Sequence, residues 1–422
     1  MIENVPPRVT ISGVVALILF LAYSPQHSFL EPYITKNQSL FFNFLLANLW
    51  VSYYFAVTAS PGSPPKDWIP TSVDELRRAN AKLEAHDDGQ PIWAIGGERW
   101  CSKCEAWKPR RAHHCKVCKA CVMKMDHQGP WTANCVGMAN SAHFFRFLFY
   151  CVVSMIYLTV LMFSVYGDLF ENSDQDIHSM PITVPQMVHM IVLSPILFIT
   201  GFAITILLVR FIIQLATNTT TIESWENEKY EDSMNRLRKK NKTWYKQLAY
   251  PYDIGLWENL KEGLGKNPLA WLYVFSAGGP EVYSATKEKK WDWERQGGGG
   301  VRWLVNGFEP ADTVWPPVDV EKKEWKNVQF DENGSWEGEA VVDREKFEER
   351  RKKWEGTKEG LGGGVGEGWK SSAGESLADF GVDEDGEGEL FPIGGVGDDD
   401  EDVPLGELLR RRKAAKAAAE EE

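Results

Sequence analysis

Four long apolar runs decide what this chain is able to fold into. Residues 9–24, 40–58, 147–166 and 188–209 each approach the roughly 20 residues that a helix needs to cross a hydrocarbon core of about 30 Å. In lipid every backbone amide and carbonyl must be satisfied within the protein, so each run is expected to be a transmembrane α-helix. The alternative, helices buried in a soluble core, fits poorly with the third and fourth runs, which contain no Asp, Glu, Lys or Arg. The first run, with Arg8 before it and Pro25 after it, also has the outline of a signal peptide, although no small-residue cleavage site follows Tyr23. Either form enters the membrane with its N-terminus in the cytosol.

Orientation follows from the connecting loops. The stretch 59–143 is rich in Lys and Arg, whereas 167–187 has neither and carries Asp168, Glu171, Asp174 and Asp176. Basic loops stay on the cytosolic side, which places 59–143 and both termini there. The cytosol keeps thiols reduced, so the six cysteines between Cys101 and Cys135 are expected to bind metal rather than to form disulfides. The seventh, Cys151, falls inside the third apolar run.

The spacing of this cluster reads as zinc chemistry. Cys101-x2-Cys104, His114, Cys115-x2-Cys118, Cys121 and Cys135 offer seven soft ligands at short intervals, and a tetrahedral zinc ion takes four. Seven imply two sites, one of them short of a ligand. The stretch RAHHCKVCKAC has too many donors too close together for one tetrahedron, so interleaved sites are expected. A hydrophilic loop of this length buries too little apolar surface to fold without such ions.

These residues resemble the cysteine-rich domain of the DHHC protein S-acyltransferases, C-x2-C-x9-HC-x2-C-x2-C-x4-DHHC-x5-C-x4-N-x3-F. The match runs through Cys101, Cys104, His114, Cys115, Cys118, Cys121, Asp126, His127, Cys135, Asn140 and Phe144, and departs at Gln128 and Gly129. Thr220-Thr221-Ile222-Glu223 resembles the family's TTxE motif, YDIGLWENLKEGLG its C-terminal motif with Asn259 at the asparagine, and NGFEPADTVWPPVD the fungal endoplasmic-reticulum branch. The resemblance implies an α-helical integral membrane protein with four transmembrane helices, a small cytosolic zinc-binding cysteine-rich domain between helices 2 and 3, and a partly disordered C-terminal tail. It implies a first zinc on Cys101, Cys104, His114 and Cys121, with His113 as a competitor for the histidine position. A second zinc falls to Cys115, Cys118, Cys135 and the residue at Gln128, whose neutral amide is a poor ligand.

The family's reaction transfers palmitate from palmitoyl-CoA to a cysteine, through an acyl-enzyme whose thiol is activated by a histidine that a carboxylate orients. Asp126 and His127 stand at those positions, but Gly129 stands where the nucleophile belongs. Three explanations are open: a shifted splice boundary in the gene, a catalytically dead zinc-bearing membrane scaffold, or direct transfer in which His127 activates the substrate thiol. Cys135 is a poor substitute, because zinc would hold its thiolate. The implied partners are membrane protein substrates with cytosolic cysteines, palmitoyl-CoA and the lipid bilayer of the endoplasmic reticulum, with no role for nucleic acid.

The expected organisation is helices 1 and 2 over 1–60, the zinc domain over 61–143, helices 3 and 4 over 144–215, a cytosolic region over 216–355 and an acidic, Gly-rich disordered tail over 356–422. The tail supplies much of the net charge of −13, so that figure says little about the membrane face. There Arg110, Arg111, Lys116, Lys119 and Lys124 are candidates for contact with CoA or lipid phosphates, or are simply solvated. The tryptophans between Trp291 and Trp336 have no helical or strand period, and serve either as interfacial contacts or as a loop-rich cap on the zinc domain.

Overall fold

The computed structural model describes residues 6–84, 92–171, 182–241, 248–276, 280–282 and 298–315. The acidic tail expected over 356–422 and the tryptophans beyond Trp315 lie outside these residues.

Four helices are long and apolar enough to cross a membrane, so the chain is a multi-pass membrane protein: Pro7–Leu30, Lys36–Thr58, Ser141–Glu171 and Val184–Thr217. The first comprises α1 (Pro7–Pro25) and a π-helical turn (Gln26–Leu30); the others are α2, α4 and α5. Proline inside helix α1 (Pro25) marks the point where regular α geometry gives way to the wider turn. Leu21, Phe29, Leu30, Phe42, Leu46, Leu161 and Leu193 pack one half of the bundle, and Leu49, Tyr53, Phe147, Leu148, Leu208 and Phe211 the other. Outward-facing Phe163, Ile191, Phe198 and Phe202 stay exposed, as lipid-facing side chains must. Helices α4 and α5 extend past the apolar runs because their polar ends are taken up by the protein itself. His143 and Arg146 are buried near the start of α4, and Gln214 near the end of α5.

Between α2 and α4, after α3 (Val73–Glu84) and the short β1 (Ile92–Trp93), three hairpins follow one another: β2–β3 (Arg99–Cys101, Ala106–Lys108), β4–β5 (His113–Cys115, Ala120–Val122) and β6–β7 (His127–Gly129, Asn134–Val136). They share one geometry. The first strands end at Cys101, Cys115 and Gly129, fourteen residues apart, and these pair with Ala106, Ala120 and Asn134. Each turn closes through a left-handed residue, Glu105 (φ 50°), Lys119 (φ 53°) and Ala133 (φ 50°). Positions 101 and 104, 115 and 118, and 129 and 132 are therefore equivalent corners of one repeated knuckle.

Beyond α5, α6 (Thr221–Asn241) and α7 (Leu256–Leu264) return the chain to the hairpins, and β8 (Leu304–Val305) pairs antiparallel with β1. Trp303 and Trp315 are buried with Trp68, Ala94, Met123 and Tyr252. For these two tryptophans the cap reading is the correct one.

Candidate functional site

The site begins with the knuckles, because the C-x2-C turn brings both of its side chains to one point. Ligand atoms of Cys101, Cys104, His114 and Cys121 lie within 4.8 Å of one another, with His114 Nδ1 at 3.2 Å from Cys104 Sγ and 3.5 Å from Cys101 Sγ. Cys115, Cys118 and Cys135 form a second group. Gln128 Oε1 accepts from Cys135 Sγ at 2.8 Å and lies 3.4 Å from Cys118 Sγ. The donor chemistry suits zinc in both groups, three thiolates with one imidazole in the first and three thiolates in the second. His113 lies outside the first group, whose histidine is His114.

Strand geometry separates metal from chemistry. On β6 successive side chains point to opposite faces, so Gln128 faces the cysteines while His127 and Gly129 face the membrane bundle. His127 Nδ1 lies 2.7 Å from Asp126 Oδ2, which leaves Nε2 for a reacting group, and the ring meets Phe144 edge-on at 5.5 Å. Asp126 Oδ1 accepts from the Thr221 amide at 2.5 Å. Burial alone would raise the Asp126 carboxyl, but the His127 contact and the Thr221 amide outweigh it and hold the group below the ordinary carboxylate range.

Thr221 is placed by its own helix start. Thr220 and Glu223 form a capping box, Thr220 N donating to Glu223 Oε2 (2.9 Å) and Glu223 N to Thr220 Oγ1 (3.2 Å). Glu223 also takes Arg111 in a two-pronged pair, Nε–Oε1 2.6 Å and Nη2–Oε2 2.8 Å, with both side chains buried. The Arg111 guanidinium lies 4.5 Å from the Tyr252 ring centroid and 4.6 Å from that of Trp303, and donates to the Asn218 carbonyl at 2.6 Å. Burial raises Glu223, yet Arg111 overrides it and the carboxyl ends below its usual range. Lys124 joins the cluster through Asn218 Oδ1 at 2.6 Å, and desolvation brings its ammonium down to about 8 despite Glu262 nearby. Asn259 closes the far side, its Nδ2 donating to Ala216 O and Asp253 Oδ1, both at 2.7 Å. Arg111 and Lys124, read from the sequence as candidates for phosphate contact, are thus committed to internal partners.

What the motifs did not reveal is the chamber they face. A cavity of about 480 Å³ lies among α1, α2, α4 and α5, walled by Leu17, Leu21, Leu46, Cys151, Met155 and Leu158 among others, with His127, Gly129, Trp131 and Thr132 along it. The α4 residues on this wall run from Phe144 to Leu158, about 21 Å at 1.5 Å per residue. The volume lies within the roughly 300–1,000 Å³ of small-ligand sites, and the lining is apolar except at the His127 wall and a few hydroxyls and one thiol between the helices. The length and apolar lining suit a hydrocarbon chain, with the polar residues of the lining at the His127 wall. Its signal in the sequence is hidden, since small and large apolar residues of four separate runs must be brought together.

Residues 94–228 match the family model of DHHC palmitoyltransferase. Among curated proteins, the chain is 34% identical to palmitoyltransferase pfa4 of Aspergillus fumigatus, covering 96% of this chain and 97% of that one. It is 32% identical to palmitoyltransferase pfa4 of Emericella nidulans over 96% of both. It is also 31% identical to a probable protein S-acyltransferase, number 13, of Arabidopsis thaliana, over 55% of this chain and 70% of the relative.

Replacing Glu223 with Gln should destabilise the fold by about 3–5 kcal/mol, the cost of leaving a buried charge unpaired, read as a lowered thermal unfolding temperature in detergent. Because Glu223 and Asp126 both titrate below their ordinary values when folded, their contribution is complete above the unfolded range near pH 4 and is lost only as pH falls through the lower folded values. An unfolding temperature unchanged by Glu223→Gln at neutral pH would contradict this account of Arg111.

Proposed function

The chain belongs to the DHHC palmitoyltransferase family, and from that premise we propose that it transfers palmitate from palmitoyl-CoA directly to cysteines of membrane proteins. The reaction is set on the cytosolic face of the endoplasmic reticulum membrane, with both termini in the cytosol. The single observation that carries the reading is the apolar chamber that contains His127 on its wall, with the ring fixed by Asp126 at 2.7 Å.

The reaction follows from the groups present. The acyl chain lies between the helices, and its thioester carbonyl reaches the His127 wall. His127 Nε2 takes the proton of the incoming substrate thiol while Asp126 steadies the other ring nitrogen and the charge that forms on the ring. The substrate sulfur attacks the carbonyl, the bond to the CoA sulfur breaks, and His127 returns the proton to the departing thiolate. One thioester is exchanged for another, and no side chain is required at Gly129. Roles for Asp126 and His127 in catalysis, and for Thr220, Thr221, Glu223 and Asn259 in positioning them, rest on the contacts described above.

Zinc in this reading is structural: bound, it pins the knuckles that carry the β6 strand. Cys101, Cys104, His114 and Cys121 fit a full tetrahedron, and Cys115, Cys118 and Cys135 fit three corners of another, with Gln128 Oε1 toward the fourth. The competing reading, a catalytically dead zinc-bearing membrane scaffold, is favoured by one observation, the missing thiol at 129.

Transfer of labelled palmitate from palmitoyl-CoA to a cysteine-bearing peptide separates the two. The purified chain should carry it out, and His127→Ala should slow it on the order of 100-fold or more; no transfer above the spontaneous rate favours the scaffold. Metal content tests the donor sets. Elemental measurement after mild chelation should find close to one zinc per chain, rising toward two in Gln128→His, since an imidazole completes the second tetrahedron. Two equally chelator-resistant ions in the unaltered chain would contradict the weakened second site.

A further inference from the structure

The knuckle repeat says what stands in the place of the missing nucleophile. In the first two hairpins the corner side chains, Cys101 with Cys104 and Cys115 with Cys118, converge closely enough to serve one ion. The third hairpin has the same register and the same left-handed closing residue, so its corners, Gly129 and Thr132, must converge as well. They do. A β carbon added at Gly129 would lie 2.5 Å from Thr132 Oγ1, with the Asn134 carbonyl oxygen next at 3.1 Å. The space that a side chain at 129 would enter holds a hydroxyl.

That hydroxyl is in a reactive setting. Thr132 is 2% exposed, and with His127 and Gly129 it forms the polar end of the apolar chamber. Among the described residues its single O–H finds only distant acceptors, the Gly129 and Asn134 carbonyls, each at 3.3 Å. These are near the outer limit for O–H···O contacts, so little is lost when the hydroxyl turns toward a bound group. The other hydroxyls and the thiol on the chamber wall, Ser154, Thr200 and Cys151, belong to α4 and α5, deep among the helices and away from the β6–β7 turn.

We infer that Thr132 is an acyl acceptor, and that the chain esterifies itself on this residue with the acyl group of a long-chain acyl-CoA. The Thr132 oxygen attacks the thioester carbonyl, a C–O bond forms and the C–S bond to CoA breaks. The hydroxyl proton passes to His127 and from there to the CoA thiolate, which leaves as free thiol. No oxidant or further reactant is needed. An oxygen ester is a poorer acyl donor than a thioester, so this acyl group stays on the chain, fills the chamber and slows transfer to substrates. The inference rests on the reading that the chamber takes the acyl chain.

The test incubates the purified full chain with labelled palmitoyl-CoA and follows the label through neutral hydroxylamine, which releases thioesters and spares oxygen esters, and then through alkaline methanol, which releases both. Expected is hydroxylamine-resistant label that maps by mass spectrometry to the peptide containing Thr132. It should fall at least tenfold in Thr132→Val, persist in Thr132→Ser, and fall in His127→Ala. Zinc content of Thr132→Val reports whether that variant has kept its fold, and peptide mapping of the unaltered chain stands even if it has not. Absence of resistant label, or resistant label on any other residue, overturns the inference. If a cysteine peptide is acylated in the same mixture, the proposed function survives that result; if neither chain nor peptide is labelled, both fall together.

Discussion

The Arg111–Glu223 pair is the interaction on which the site depends. One guanidinium reaches three separate pieces of chain: the α6 cap through Glu223, the end of α5 through the Asn218 carbonyl, and the cap over the hairpins through Tyr252 and Trp303. A charge this deeply buried is tolerated only because its partner is bidentate and its faces are covered by aromatic rings. Burying both charges has a large desolvation cost, which is why the pair brings specificity of arrangement more than stability. The arrangement it fixes is the N-terminus of α6, and that terminus presents the Thr221 amide to Asp126. The orientation of the His127 ring is thus decided by a residue in the link between the first two knuckles.

The knuckles divide their work by the pleat of the strand. In β4 and β6 alternate residues face opposite sides, so the third hairpin holds Gln128 toward the cysteines and His127 toward the bundle. Position 128 therefore meets the cysteine group and position 129 the chamber, although the two are adjacent in sequence. The third hairpin keeps the register of the other two, with Gln128 opposite Cys135 and Gly129 opposite Asn134, because the register is carried by main-chain hydrogen bonds and by the left-handed turn at Ala133.

The membrane helices and the two clusters of candidate ligands were legible in the sequence because each depends on short-range pattern: an uninterrupted apolar run, or two cysteines separated by two residues. TTxE was legible as a motif but its purpose was not, since the contact between Thr221 and Asp126 joins positions that lie 95 residues apart. The same holds for Arg111, which in sequence is one of several basic residues beside a cysteine cluster and in space is the one enclosed by Tyr252 and Trp303. The chamber was invisible for a different reason. Cavities are set by how four helices fail to fill the space between them, and no single run carries that information. The fourteen-residue repeat was hidden because its third copy has Gly129 and Thr132 where the first two have cysteines, so identity is lost while geometry is kept.

The proposed activity requires that the chamber be the acyl site, with the reacting carbonyl held between His127 and the β6–β7 turn. A cryo-electron microscopy structure of the chain bound to a non-reactive palmitoyl-CoA analogue, with a methylene in place of the thioester sulfur, tests it most directly. The account predicts the alkyl chain between α1, α2, α4 and α5, passing Cys151 and ending near Leu158, with the analogue's carbonyl beside His127 and Thr132. An analogue bound with its chain outside the bundle, or a bundle in which the chamber is closed by side chains, would contradict it.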